Sequence, residues 1–207
     1  LAAHNIMKDV DIVDLRWGVN TQDLPEEERE SKVLKQCLDG IRMSRPYFVA
    51  FIGDRYGWIP PLSKWRKVAG ELSGEESDKM GDELVEAKSV TELEILFGAL
   101  KDRKNLSNSF FMFRDSRVYD TMKPEDLRRY SDADSKQRER LAELRKKILA
   151  AYQGTGLEHN LMQYSCQYDG RMVIGENEFL ELVNILVRSI VSNEMDNALN
   201  STDLDSL

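Results

Sequence analysis

The chain has 207 residues, of which 41% are hydrophobic and 32% are charged, and its formal net charge is −8 at pH 7. This length and composition are typical of one soluble globular domain with a single core. The negative charge argues against a general nucleic-acid or anionic-membrane surface. No apolar run is long enough to cross a bilayer. From the charge and the hydropathy together we predict neither a nucleic-acid partner nor a membrane partner.

Cysteine usage indicates a reducing compartment. Cys37 and Cys166 are the two cysteines, they lie far apart, and neither belongs to a CxxC pair. With His4 and His159 they form no spacing typical of a metal site. The first residues lack a positively charged segment before an apolar core, so we predict no signal peptide. We expect a cytoplasmic protein with reduced thiols and no metal.

The first elements are a helix end, a strand and a helix. Residues 1–8 are typical of the tail of a helix, and residues 10–15 of a short strand. Pro25 and the acids after it predict the start of a helix, because proline and acids favour the first turn. Pro46 ends this helix. Its predicted apolar face consists of Val33, Leu34, Cys37, Leu38 and Ile41.

An almost continuous apolar run at residues 47–52 predicts a strand buried on both faces, which is typical of parallel sheets. Residues 53–61 follow as a loop. Residues 62–88 are charged and low in β-branched residues, and we interpret them as an insertion on the surface, part helix and part mobile lid.

A helix is predicted over residues 89–100. Ser89 can cap it, and Glu92 three residues later completes a capping box. Its predicted buried stripe consists of Leu93, Leu96, Phe97 and Leu100.

The second half of the chain continues the alternation of strands and helices. We predict strands at 109–114 and 161–166, a helix at 135–152, and an apolar closing helix around 179–190. Residues 193–207 are polar and acidic, so we expect a disordered linker or tail after a domain at 1–192.

Strands that alternate with helices indicate an α/β fold with a mostly parallel sheet. Such a fold normally opens with a central strand, and this chain starts at the end of a helix, so we expect its first strand to be missing. There is no phosphate loop, no GxGxxG and no nucleophile elbow in the sequence. The acids at 9, 11 and 14 lack the glycine and glutamate of a calcium loop.

Several segments together resemble a known family. They are residues 13–19, 45–48, 53–60, 89–95 and 110–115. The resemblance is to the TIR-like domain of unknown function at the N-terminus of NACHT/STAND NTPases and of TPR or WD-repeat proteins, with relatives in nephrocystin, telomerase-associated proteins and bacterial antiphage proteins. It covers most of residues 9–190. The family's opening strand is absent here, and Asp54 stands where relatives often carry glutamate.

The resemblance implies a flavodoxin-like sheet and a specific acid. In related TIR domains and nucleoside deoxyribosyltransferases, a glutamate near the start of the helix after the third strand carries catalysis, in a Glu-x-x-x-small pattern. Glu94, followed by Gly98, matches that pattern better than Glu92 does. The implied chemistry is cleavage of the N-glycosidic bond of NAD⁺, in which a carboxylate stabilises an oxocarbenium-like transition state. NAD⁺ would be the substrate, and no further cofactor is implied.

Other candidate site residues follow the strands, where ligands of open α/β sheets bind. Trp17 or Trp58 could stack on a nicotinamide or adenine ring, and Arg16 or Arg55 could pair with the pyrophosphate. We include Gly53, Asp54 and Glu92 as further substrate-binding candidates.

Each candidate also has an ordinary structural interpretation. Glu94 could be a solvated or ion-paired helix residue, the tryptophans could be packing residues, and the arginines could brace neighbouring aspartates. Two functions therefore stay open. One is a signalling or effector domain of a STAND-type NTPase that cleaves NAD⁺ on assembly. The other is a non-catalytic module for homotypic association or for autoinhibitory docking on its own NTPase or repeat domains.

Overall fold

The structure is a computed structural model that describes residues 25–70 and 86–204. The predicted strand at 10–15, the helix tail before it and part of the 62–88 insertion lie outside these residues. In chain order the elements are α1 (Glu26–Ser44), β1 (Phe48–Ile52), α2 (Leu62–Gly70), α3 (Val90–Ile95), β2 (Ser109–Arg114), α4 (Pro124–Leu127), α5 (Ser135–Tyr152), β3 (Leu161–Tyr164), β4 (Gln167–Tyr168), β5 (Met172–Val173) and α6 (Glu176–Leu204).

Strands β1, β2 and β3 form a parallel sheet in that order. Phe48 of β1 pairs with Ser109 of β2, and Phe111 of β2 pairs with Leu161 of β3. Each parallel pair is joined by a crossover that contains helices, as parallel pairing requires. Strands β4 and β5 form a separate antiparallel pair. The predicted fold class is confirmed: the chain is an α/β domain with a parallel sheet flanked by helices, consistent with a flavodoxin-like fold.

One face of the sheet packs against α3 and α5. Ile52 and Phe111 point to this side and share a cluster with Ile95 of α3. The cluster is completed by the buried stripe of α5, which is the one its spacing predicts: Leu141, Leu144, Ile148 and Tyr152.

The opposite face packs against α6. Leu182 contacts Met112 of β2 and Tyr164 of β3. On this side, however, Val49 and Phe51 of β1 are 38% and 49% exposed. The prediction that this strand is buried on both faces is therefore wrong for the described part of the chain. The reason is that α6 packs over β2 and β3.

A second cluster lies between α1, α2 and α3. Leu34 and Leu38 of α1 meet Trp65 of α2, which is completely buried, and Leu93 of α3. The interpretation of residues 62–88 as a surface insertion is wrong for α2. Its apolar residues recur at helical spacing between charged ones, and they place the helix in the core.

The helix that starts as α3 continues as a π-helical turn, Leu96–Leu100. Gly98 in this turn lies directly against the ring of Phe48, and a Cβ atom at this position would overlap the ring. Glycine therefore sets how closely the helix can approach β1.

Helix α6 runs the full height of the sheet. At one edge the Glu178 carboxylate accepts a hydrogen bond from the Ser165 backbone N–H (2.6 Å), and at the other the Asn193 side chain donates to the Ser107 carbonyl (2.9 Å). The helix continues to Leu204, so the predicted disorder is wrong over residues 193–204. Among the helices that the structure describes, none combines the length and the apolar character needed to cross a bilayer.

Candidate functional site at the carboxyl edge of the sheet

The carboxyl ends of the three parallel strands gather the polar residues of this fold. Asp54 follows β1, Asp115 follows β2, and Ser165 follows β3. The first turn of α3 lies beside the loop after β1, because the Val90 N–H donates to the Trp58 carbonyl (3.0 Å). This edge is where open α/β sheets bind ligands.

The start of α3 confirms half of the predicted capping box. The Ser89 hydroxyl accepts a hydrogen bond from the Glu92 N–H (3.1 Å). The return bond is different, because the Ser89 N–H donates to the hydroxyl of Tyr56 (3.4 Å). The Tyr56 hydroxyl in turn donates to the Glu92 carboxylate. A tyrosine from the preceding loop thus stands between the two capping residues.

Glu92 is a buried carboxylate with two donors. It is 4% exposed, and besides Tyr56 it pairs with the Lys147 ammonium of α5 at 2.9 Å. Burial and the hydrogen bond to Glu92 together raise the pKa of Tyr56 to about 12, so the hydroxyl keeps its proton and remains a donor. A buried charge is tolerated only when it is paired and hydrogen-bonded, and this arrangement provides both.

Glu94 faces helix α1. Residues two apart on a helix differ by about 200° in direction, so Glu94 points away from the Glu92 side. It is half-buried and hydrogen-bonds with Cys37 of α1. Loss of water raises the pKa of Glu94, an effect that the Cys37 hydrogen bond opposes. Burial, helped by the Glu94 charge, raises the pKa of Cys37 to about 12.

Asp54 is held by donors from three elements. Its carboxylate pairs with Arg145 of α5 at 2.9 Å and accepts from the Tyr119 hydroxyl at 2.6 Å. Arg114, at the end of β2, approaches it at 3.6 Å. Arg145 also donates to the Gly53 carbonyl (2.9 Å), and the Arg114 guanidinium lies where a Cβ of residue 53 would be. Gly53 therefore makes room for the ion pair.

The loop after β1 has a fixed backbone and an exposed tryptophan. The Tyr56 N–H donates to Asp132 (2.6 Å), and Gly57 has φ = +97°, a conformation that favours glycine. The Trp58 carbonyl is held by α3, while its side chain is 45% exposed. Arg55 is exposed and donates to the Arg128 carbonyl (3.4 Å).

The structure thus brings Gly53, Asp54 and Glu92 to one edge of the sheet and places Glu94 between α3 and α1. Arg16 and Trp17 lie outside the described residues. In the part of the chain that is described, no three histidine, cysteine, aspartate or glutamate side chains cluster so as to hold a metal ion.

Sequence reasoning missed several residues of this edge. The partners of the carboxylates are Tyr56, Arg114, Tyr119, Arg145 and Lys147. Arg145 and Lys147 lie in a run of mixed charges, and both side chains reach carboxylates at this edge from α5. Both residues flank the buried stripe of α5 in the helical repeat, and this position in the sequence could have identified them as residues that border the core.

Comparison with known proteins places the chain near large repeat-containing proteins. Telomerase protein component 1 of Mus musculus is 28% identical over 164 residues, which are 76% of this chain and 5% of that protein. The same protein of Rattus norvegicus is 26% identical over 164 residues, again 76% of this chain and 5% of that protein. A TPR repeat-containing protein of Dictyostelium discoideum is 26% identical over 142 residues, 66% of this chain and 8% of that protein.

The chain therefore resembles a small part of much longer proteins. It spans 5% to 8% of the length of these relatives. The sequence matches no protein-family model and no solved structure.

Proposed function

We propose that this chain is a TIR-like signalling domain of a larger STAND-type NTPase, and that it acts by associating with other protein domains. The observation that carries this proposal is the internal pairing of the carboxylates at the carboxyl edge. Glu92 is held by Tyr56 and Lys147, and Asp54 is held by Arg145 and Tyr119.

A carboxylate that stabilises charge on a substrate must be placed where that charge develops. Glu92 and Asp54 instead point their oxygens at protein donors, and both are largely buried. They stabilise the loop after β1 and its contacts with α3 and α5. This arrangement supports a scaffold that presents a surface.

The proposed binding surface is the tip of the loop after β1. Trp58 exposes an indole ring on a backbone that is fixed by neighbouring hydrogen bonds. Tryptophan is enriched among the residues that dominate protein–protein binding energy, and a fixed loop loses little entropy on binding. The partners would be the NTPase or repeat domains of the same cytoplasmic protein, or further copies of this domain.

Association can be measured on the purified domain by light scattering and by binding to the remainder of its full-length protein. We expect Trp58→Ala to weaken association at least tenfold and Trp58→Phe to weaken it less, because the phenyl ring keeps part of the contact area. A strictly monomeric domain with no affinity for the rest of its protein would refute the proposal.

A second candidate function is NAD⁺ cleavage on assembly, with Glu94 as the acting carboxylate. Its support is the environment of Glu94, which is half-buried and poorly solvated. Charges interact more strongly where water is excluded, so such a carboxylate can stabilise an oxocarbenium-like transition state well.

The test is nicotinamide release from NAD⁺ by the full-length protein under activating conditions. Glu94→Gln should abolish release, whereas Glu139→Gln, an exposed change on α5, should leave it unchanged. Full activity in Glu94→Gln would exclude the catalytic role and leave the association proposal intact.

A further inference from the structure

A separate cleft of about 500 Å³ opens at the carboxyl ends of β2 and β3. Its volume lies within the range of about 300–1,000 Å³ that small-molecule sites occupy. It is distinct from the surroundings of Glu92 and Glu94, because its walls come from the segments after β2 and β3. Its lining includes Asp115, Arg117, Thr121, Ser165, Cys166 and Tyr168.

The topology explains why a cleft forms here. The chain leaves β2 for α5, which packs on the sheet face that carries Phe111. It leaves β3 for α6, which packs on the opposite face against Met112 and Tyr164. Where the connections of adjacent parallel strands go to opposite faces, the loops separate and leave a crevice that commonly binds ligands.

Asp115 supplies an acceptor that the protein does not fully use. Its Oδ1 accepts from the Arg117 backbone N–H (2.9 Å), and its Oδ2 accepts from two nitrogens of the Arg117 guanidinium. An ionised carboxylate has about four lone-pair positions, so Oδ1 can accept one more hydrogen bond. The Arg117 hydrogen bonds lower the pKa of Asp115, which keeps it ionised at neutral pH.

The other polar groups of the cleft are neutral. The Thr121 hydroxyl donates to the Val118 carbonyl (2.9 Å) and can still accept. Ser165 contributes a second hydroxyl, and Tyr168 contributes a ring and a hydroxyl that interacts with Asp126. Such a set can both accept from and donate to the hydroxyl groups of a ligand.

The charges around the cleft are mixed in sign. Carboxylates and guanidiniums both interact electrostatically with the lining residues. The carboxylates are those of Asp115, Asp120, Asp126 and Glu178, and the guanidiniums are those of Arg114, Arg117 and Arg129. A phosphate would meet the carboxylates, and a cation would meet the guanidiniums. A neutral ligand avoids both repulsions.

The geometry points to a binding site for a neutral, hydroxyl-rich small molecule of monosaccharide size, with Asp115 and Arg117 binding adjacent hydroxyl groups and Thr121 and Ser165 completing the set. This site goes beyond the proposed function, since it involves neither Trp58 nor Glu94.

The experiment is a nitrogen–proton NMR titration of the protein with D-ribose, D-glucose and myo-inositol, and separately with ribose 5-phosphate. We expect saturable shifts of the backbone amides of Arg117 and of residues 165–168 with at least one neutral probe. Ser165→Ala and Thr121→Val should each weaken binding about five- to tenfold, the effect of one lost hydrogen bond. Ser107→Ala, at the opposite edge of the sheet, is the matched control and should leave the affinity unchanged.

Three results would overturn the inference: no saturable shift with any neutral probe, saturable shifts confined to other residues, or tighter binding of ribose 5-phosphate than of ribose. Ser165 is exposed, so its alanine variant should fold, and an unchanged spectrum of the free protein will verify this. The NMR titration measures neither association nor nicotinamide release. A negative titration would therefore leave the proposed function untouched, and a failed association test would leave this inference untouched.

Discussion

Glu92 and Glu94 lie on different sides of the same short helix and meet different partners. Glu92 faces Tyr56 and Lys147, and each of its carboxylate oxygens has a donor, whereas Glu94 faces Cys37 of α1. The residue that the family resemblance implies as catalytic is therefore not the one that the loop after β1 holds. The two acids can be separated by experiment, because a change in one leaves the partners of the other in place.

Glu94 should make the stability of the fold depend on pH. Its pKa is raised in the folded state, so the folded protein binds this proton more tightly than the unfolded chain does. The stabilisation is complete below the ordinary carboxyl pKa and is lost as the pH rises through the raised value. Glu94→Gln should therefore unfold at higher urea concentration than the parent at pH 8, with little difference at pH 4.

Glu139→Gln serves as the control, because this residue is exposed on α5. Urea midpoints for the three proteins at pH 4, 6 and 8 give the comparison. A Glu94→Gln variant less stable than the parent at pH 8 would contradict the prediction.

Tyr56 should contribute to stability through its hydroxyl. Tyr56→Phe removes a donor from the buried Glu92 carboxylate and an acceptor from the Ser89 N–H. We expect a loss of about 1–3 kcal/mol in the free energy of unfolding, the usual cost of leaving buried polar groups without partners. Chemical denaturation measures it.

Lys147 and Lys146 offer a matched pair for the same carboxylate. Lys147→Met removes the second partner of Glu92, and it should cost less than Tyr56→Phe because the ammonium is half-exposed to water. Lys146→Met changes an exposed neighbour and should be neutral. Equal effects of the two lysine changes would show that the ion pair between Lys147 and Glu92 adds nothing to stability.

Gly98 should resist substitution because of Phe48. Gly98→Ala places a methyl group against the Phe48 ring, and overpacking of this kind costs about 1–3 kcal/mol. In a Phe48→Leu background the same change should cost less, because the smaller side chain leaves room. A double-mutant cycle by thermal unfolding tests this, and additive effects would rule out a direct clash.

Trp65 and Trp58 should respond in opposite ways to alanine. Trp65 is completely buried between α1, α2 and α3, so Trp65→Ala should cost about 3–5 kcal/mol. Trp58→Ala should change the unfolding midpoint much less, because nearly half of the residue's area stays in solvent. Calorimetry on both variants decides, and a large stability loss in Trp58→Ala would mean that its ring packs on the domain.

Much of the fold could be predicted where local pattern and packing agree. The strand at Ser109–Arg114 and the helix at Ser135–Tyr152 have the predicted boundaries, because a continuous apolar run and a clear helical stripe leave little choice. The core position of helix α2 is hard to predict because its three stripe residues are interspersed with three charged ones. Residues 193–204 continue α6 despite their polarity, because a helix that packing has already anchored can extend through polar residues.

The site was harder to predict because its partners are distant in sequence. Lys147 lies 55 residues from Glu92, and Arg145 lies 91 residues from Asp54. Local pattern identified the carboxylates, but no spacing rule links them to α5. Only the folded structure shows that Glu92 and Asp54 are already paired with basic residues of α5.

Helix α6 has a mechanical consequence. Because Glu178 holds it to one edge of the sheet and Asn193 to the other, force applied along its axis loads both attachments in shear. A twist imposed on its distal turns would reach the segment after β3, where Ser165 borders the cleft. The helix can therefore act as a lever that conveys a force on its distal turns to the carboxyl edge of the sheet.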